Sequence, residues 1–300
     1  MNTPNFVLSL VTGENDYQRE QASAAEAVAA KNGTSVEILY ADNDAVAQTQ
    51  QLLKVIQDRS PRPQAILVEP VGTDMPQVAK AAVSAGIGWV VLNRAPEYTS
   101  QLRTGAVPVF AVDIDQEQVG KIQAQQLQAL VDEGNILYIE GPWGSHVARM
   151  RSKAMLAGKP HAIQLKVLKG DWTEQSGNRA IRSWLSLSTS KQMGIRGIVC
   201  QNDAMALGAR KAFEDQPPAE REHWISLPFV GCDGLPKTGQ EWVRRGQLRA
   251  TVVTPAVAGI GLEMLLKALR GGAVPPAQTV LAAASFPPVA DLKLLKPVAD

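Results

Sequence analysis

Short apolar runs alternate with amphipathic stretches along almost the whole chain. The runs that read as strands are 6–11, 36–40, 65–68, 89–92, 109–112, 136–139, 165–168, 197–200, 229–232 and 248–253. Helical spacing of apolar residues lies between them, over 16–31, 46–58, 76–85, 116–131, 204–213 and 257–270. The strand runs are apolar at consecutive positions rather than at every second one, which predicts parallel sheets covered by helices on both faces. Regular β/α alternation of this kind places the chain in the α/β class with a doubly wound fold.

A coarse repeat suggests two such units. Residues 65–94 read as strand, helix, strand and then Asn93-Arg94, and residues 197–234 read as strand, helix, strand and then Cys232-Asp233-Gly234. Both end on a strand whose carboxyl end carries polar groups, the edge at which doubly wound sheets bind ligands. The stretch VCQNDAMALGA, 199–209, changes character in its middle. Asp203 is the expected helix N-cap, since its carboxylate can accept from the open amides of a first turn. Gln201 and Asn202 are left at the strand end, where Asn202 is expected to offer its hydrogen bonds to a ligand rather than to a neighbouring side chain.

Bulk properties narrow the partners. Three hundred residues with 45% hydrophobic content can form one large α/β domain or two lobes with separate cores, and a formal charge of +1 without a basic run removes the electrostatic case for nucleic acid as the main partner. No apolar run approaches about 18 residues, so no membrane-spanning helix is expected. Cys200 and Cys232 fit neither a disulfide scaffold nor a zinc site and read as buried thiols, with a disulfide conceivable if their strands are neighbours. Ahead of the first strand there is no basic segment, apolar core or cleavage site. Either an export signal has been removed or the chain stays inside the cell.

Catalytic patterns are missing. The histidines are His146, His161 and His223, and neither a G-x-S-x-G elbow nor an H-E-x-x-H pair occurs. Gly259-Ile260-Gly261 lies within a helical stretch and lacks the third glycine of a dinucleotide site, and no Walker A pattern is present. No metal or cofactor is therefore expected. What remains is a set of polar and aromatic residues placed just after strands: Asn15, Tyr17, Asn93, Arg94, Arg151, Trp172, Asn202 and Asp233. Amides, a carboxylate and guanidiniums offer donors and acceptors together, and Tyr17 and Trp172 offer flat apolar faces. A sugar ring needs this mixture, because each hydroxyl both donates and accepts while its C–H faces are apolar. Hydrogen bonds to charged partners contribute about 1.5–3 kcal/mol each. A micromolar complex requires about 8 kcal/mol, so a handful of such contacts is enough.

Three segments in order carry a resemblance. QNDAMALGARKAF resembles "NDxMAxGAxxA", and VGCDGLPKTGQEWVRRGQLRATV resembles "VGFDGxPxxxxxIxxGxLxATV". ILVEPVGTDMPQVAKAAVSAGIGWVVLNR is similar to the first-lobe strand–helix–strand that ends on a polar-Arg pair. All three are marks of the type I periplasmic sugar-binding proteins of ABC transporters, in the ribose and galactose group. The resemblance implies two Rossmann-like lobes, 1–111 with 255–282 and 112–254 with 283–300, joined by a three-segment hinge near Val112, Thr254 and Ala283. Ligand would be clamped between the lobes by hinge closure. By position, Asn15, Tyr17, Asn93 and Arg94 would serve from the first lobe, and Arg151, Trp172, Asn202 and Asp233 from the second, with the sugar between Tyr17 and Trp172.

This sequence also departs from the family pattern. Gln18 stands where a second aromatic is common, Thr254 replaces the usual hinge amide, and Asn93 replaces the Asp of the ribose binders; Gln18 and Thr254 join the expected ligand set. The implied protein is a non-enzymatic, monomeric, periplasmic or extracytoplasmic receptor with a membrane ABC permease as partner and no cofactor. The alternative is a cytosolic or signalling sensor of a sugar-like or nucleoside-like ligand, as in the effector domains of LacI-type repressors. Those carry an N-terminal DNA-binding headpiece, which is not expected here because the first core strand starts at Phe6.

Overall fold

A computed structural model describes residues 5–58, 61–72, 75–190, 193–273 and 275–295. In chain order the elements are β1 (Asn5–Leu10), α1 (Asp16–Lys31), β2 (Ser35–Tyr40), α2 (Ala45–Asp58), β3 (Ala65–Val68), α3 (Pro76–Ser84), β4 (Gly88–Leu92), α4 (Tyr98–Gln101) and β5 (Val109–Ile114). There follow α5 (Gln116–Leu130), β6 (Gly134–Glu140), α6 (His146–Gly158), β7 (Ile163–Lys169), α7 (Glu174–Leu185), β8 (Ile195–Cys200), α8 (Asp203–Glu214), α9 (Pro218–Ser226) and β9 (Phe229–Asp233). The chain ends with α10 (Gly239–Arg244), β10 (Ala250–Val253), α11 (Val257–Leu269), β11 (Gln278–Leu281) and β12 (Ala284–Phe286). These elements divide into two compact units, Met1–Ile114 with Pro255–Leu281, and Asp115–Thr254 with Ala282–Asp300.

In the first unit the strand order is β2-β1-β3-β4-β5-β11, and every pairing is parallel. Leu8 lies opposite Ile38 on one side and Leu67 on the other. One face of the sheet, with Val7, Ile66 and Trp89, packs on Leu52 and Val55 of α2 and Val78 and Ala82 of α3. On the other face α11 comes close enough for Gly261 to lie against Leu67, Val90 and Leu92. Burial on both faces is what makes the strands read as unbroken apolar runs.

The second unit repeats this order as β7-β6-β8-β9-β10-β12. All pairings are parallel except that of β12, which runs antiparallel to β10. Trp184, Phe213, Trp224 and Phe229 fill one face, with Trp184 and Trp224 edge-on at 5.6 Å. Leu127 and Leu130 of α5, Met155 of α6, and Tyr138 fill the other. Helices α5 and α6 approach so closely that a methyl group on Gly120 would stand 2.3 Å from the Arg151 carbonyl oxygen. That contact fixes the turn of α6 from which Arg151 projects.

Sequence periodicity misses β11 and β12. They are four- and three-residue strands, half-exposed at a sheet margin, so they carry no continuous apolar run. It also begins β10 too early. Leu248 is buried, but its amide donates to the Trp242 carbonyl in a turn ahead of the strand.

Candidate functional site

In both units the sheet order reverses direction beside the first strand, so the carboxyl ends of β1 and β3, and of β6 and β8, flank a topological switch point. In the first unit Asn15 caps α1, its Oδ1 accepting from the Gln18 amide at 2.9 Å. Tyr17, in the first turn, places its hydroxyl 3.2 Å from Asn93 Oδ1 and 3.1 Å from the Pro255 carbonyl oxygen. Asn93 follows β4 with a left-handed φ of 61° and is buried, and its amide donates to Val112. Gln18 is engaged at both ends: Oε1 accepts from the Val11 amide and Nε2 donates to Glu69, each at 3.0 Å. The side chain therefore ties the loop after β1 to the loop after β3. Arg94 is buried, and its Nη1 donates to the Gly72 carbonyl at 2.8 Å.

In the second unit Arg151 is buried on α6. Its Nε donates to Gln116 at 2.9 Å, its Nη1 donates to the Gln201 carbonyl at 2.5 Å, and its guanidinium carbon lies 5.9 Å from the centre of the Trp172 ring. Trp172 takes a left-handed φ of 69°, and its carbonyl accepts from Asn202 Nδ2 at 2.9 Å. The indole edge covers the Gly141 backbone, where a Cβ would collide with it at 2.2 Å. Asp233 ends β9 with φ 110° and is 7% exposed. Its carbonyl accepts from the amide of buried Thr254 at 3.0 Å, with the Thr254 hydroxyl at 3.5 Å. Arg151, Trp172 and Asn202 are thus linked to one another, and Asp233 is linked to Thr254 after the adjoining strands β9 and β10.

One expectation is corrected. Asn202, not Asp203, is the N-cap of α8: its backbone is extended and its Oδ1 accepts from the Met205 amide at 2.9 Å. The helix begins one residue earlier than the Ala/Met/Leu run suggests, which turns the Asp203 carboxylate into the interior instead, onto the Gly234 amide and the Thr251 hydroxyl. Gln201 is also an interior brace. Its Oε1 accepts from the Gly141 amide at 2.8 Å, and its Nε2 lies 2.8–2.9 Å from the hydroxyls of Tyr138 and Ser152 and the Ala148 carbonyl. Burial is the main cause pushing the Tyr138 phenol up to about 12, so a neutral hydroxyl meets that amide. Sequence reasoning singled out Gln201 as an oddity and Asp203 as a cap; the carboxylate of Glu69 gave no signal beyond its place at a strand end.

Cys200 and Cys232 lie on the neighbouring strands β8 and β9 as buried free thiols, and burial pushes both thiol pKa values up. Among the described residues no group of His, Cys, Asp or Glu could hold a metal ion, and no helix is long and apolar enough to cross a membrane.

Comparison with known proteins matches the chain to a family. The family model of the periplasmic binding protein domain matches residues 6–273. A xylitol-binding protein of Mycolicibacterium smegmatis is 32% identical over 228 residues, 72% of this chain and 58% of that protein. A D-galactose/methyl-galactoside binding periplasmic protein of Haemophilus influenzae is 29% identical over 206 residues, 64% of this chain and again 58% of the relative. The matches thus span less than two thirds of these two relatives, whereas a ribose import binding protein of Salmonella typhimurium is 25% identical over 90% of this chain and 86% of its own length. The fold coincides with the crystal structure of a galactofuranose binding protein at a TM-score of 0.79, with 21% identity and 94% of both chains covered. The chain belongs to the periplasmic binding protein family and has its type I fold of two α/β units with parallel sheets.

Proposed function

We propose that this protein is a non-enzymatic receptor that captures a monosaccharide or related polyol and delivers it to an ABC importer by hinge closure. One observation carries the reading: the second unit gathers a guanidinium, an indole face, an amide and a carboxylate, from Arg151, Trp172, Asn202 and Asp233, on one strand-end rim. These groups suit a ring that offers hydroxyls at its edge and C–H bonds on its faces. Relatives named for xylitol, galactose and ribose binding support the same ligand class.

In this reading Tyr17 and Trp172 supply flat faces, and Asn15, Asn93, Arg94, Arg151, Asn202 and Asp233 address hydroxyls. Gln18 and Thr254 complete the set by fixing the loops from which their neighbours project. The receptor acts as a monomer in the periplasm or another extracytoplasmic space, with a membrane permease as its partner and without metal or cofactor.

A thermal-shift screen against pentoses, hexoses, polyols and nucleosides tests the proposal. A ligand at a hundred times its Kd adds about 2.7 kcal/mol of apparent stability, enough for a clear rise in Tm. The expected result is a rise with one sugar or polyol. No shift with any sugar or polyol, or a shift with nucleosides alone, would overturn the reading.

A further inference from the structure

We infer that Asp203 is a positioning residue whose buried carboxylate sets the turn that presents Asp233. The side chain is 4% exposed, in the first turn of α8, where a negative charge is favoured by the helix dipole. Oδ2 accepts from the Gly234 amide at 2.8 Å, and Oδ1 accepts from the Thr251 hydroxyl at 2.7 Å. Three glycines make room for this arrangement. A Cβ on Gly231 would stand 2.0 Å from Oδ1, one on Gly239 would stand 2.0 Å from Oδ2, and Gly234 itself has φ 60° against Val253.

Asp233 sits inside this frame with φ 110°, a conformation that a non-glycine residue keeps only when its surroundings over-determine it. The surroundings here are the Gly234 amide held from one side and the Thr254 amide held on Asp233's own carbonyl from the other. Asn202, the preceding residue, does the same for the other left-handed residue of the rim, donating to the Trp172 carbonyl. A single dipeptide at the start of α8 therefore fixes the backbone of both the carboxylate and the aromatic group of the second rim.

The inference rests on Asp233 being a ligand contact, and two readouts separate the two ideas. The first is amide hydrogen exchange at Gly234 in the ligand-free protein, which needs no sugar. Asp203→Asn replaces the carboxylate that accepts from the Gly234 amide by a neutral acceptor, and the weaker bond should speed Gly234 exchange about tenfold. The second is sugar affinity by calorimetry, with the ligand found in the screen. Asp203→Asn should weaken binding at least about tenfold in the parent, but by less than about a third of that factor when Asp233 is already Asn, because the two act through one contact. Should Asp203→Asn fail to fold, Thr251→Val removes one donor to the same carboxylate and should shift both readouts in the same direction, while Thr251→Ser keeps them at parent values. Unchanged Gly234 exchange in Asp203→Asn would overturn the inference whatever happens to affinity, and so would equal effects in the parent and Asp233→Asn backgrounds. Faster Gly234 exchange together with parent affinity in both Asp203→Asn and Asp233→Asn would refute the ligand role of Asp233, and with it the positioning role.

Discussion

The two units share one strand order, so their rims can be compared position by position. Asn93 follows β4 and Asp233 ends β9, the equivalent strands, and both residues take left-handed backbone. Their supports differ. Asn93 is met by the side chain of Tyr17 from the first turn of α1. Asp233 is held through its backbone, by the Thr254 amide just after β10 on its carbonyl and by Asp203 of α8 on the amide of the next residue, Gly234. At this pair of positions, then, a neutral side-chain bond meets the Asn93 side chain, whereas the buried Asp203 carboxylate and the Thr254 amide hold the backbone at Asp233 and Gly234. The second arrangement leaves a charged side chain to be presented, and hydrogen bonds to ionised groups are about twice as strong as neutral ones. The same topology accordingly places a neutral amide at one of these positions and a charged carboxylate at the other.

This contrast predicts unequal losses at the equivalent positions. Asp233→Ala should abolish sugar binding, a loss of at least about a hundredfold, because a charge-assisted contact disappears. Asn93→Ala should weaken binding by about tenfold, since a neutral contact and the Tyr17 bond are lost together. Calorimetry on the two variants decides the matter. Equal losses would remove the distinction between the rims, and parent affinity in Asp233→Ala would remove Asp233 from the site.

The buried braces sharpen the same comparison through stability. Gln201→Leu leaves the Gly141 amide and the hydroxyls of Tyr138 and Ser152 without their shared partner, and should cost about 2–4 kcal/mol. Gln18→Leu breaks bonds to Val11 and Glu69 only, nearer the surface, and should cost about 1–2 kcal/mol. Urea unfolding monitored by the transition midpoint measures both. A larger loss for Gln18→Leu would mean that the first rim, not the second, is the more rigid.

Much of this was legible before any coordinates. The continuous apolar runs gave the strands, because both faces of each parallel sheet are covered. The repeat ending in Asn93-Arg94 and Cys232-Asp233-Gly234 corresponds to β3–β4 and β8–β9 in matching places of the two sheets. The edge strands β11 and β12 were not legible, although the opposite edges β2 and β7 were: β11 exposes Val280 at the margin and alternates, and β12 is three residues long. Nor was the division of labour at 201–203. Periodicity cannot tell which of three successive polar residues points inward, because a one-residue shift in the helix start exchanges cap and interior positions. Gln201 and Asp203 turned inward and Asn202 took the cap.

The aromatic pair gives the smallest and most specific contrast. Trp172 holds its ring in place through its own backbone, bonded to Asn202, and through the bare Gly141 beneath it. Its contribution lies in the flat face. Trp172→Ala should weaken binding at least about tenfold and reduce any ligand-induced change in tryptophan fluorescence. Tyr17 contributes a face and also a hydroxyl, which joins Asn93 and the Pro255 carbonyl. Tyr17→Phe keeps the face and deletes only that neutral bond, so the expected loss is about 0.5–1.5 kcal/mol, or roughly two- to tenfold in Kd. Tyr17→Ala should then lose a further factor comparable to that of Trp172→Ala, because the face goes with it. If Tyr17→Phe binds as weakly as Tyr17→Ala, the hydroxyl rather than the ring is what the first rim contributes, and a wall built on side chains touching one another would owe its whole effect to keeping Asn93 in place.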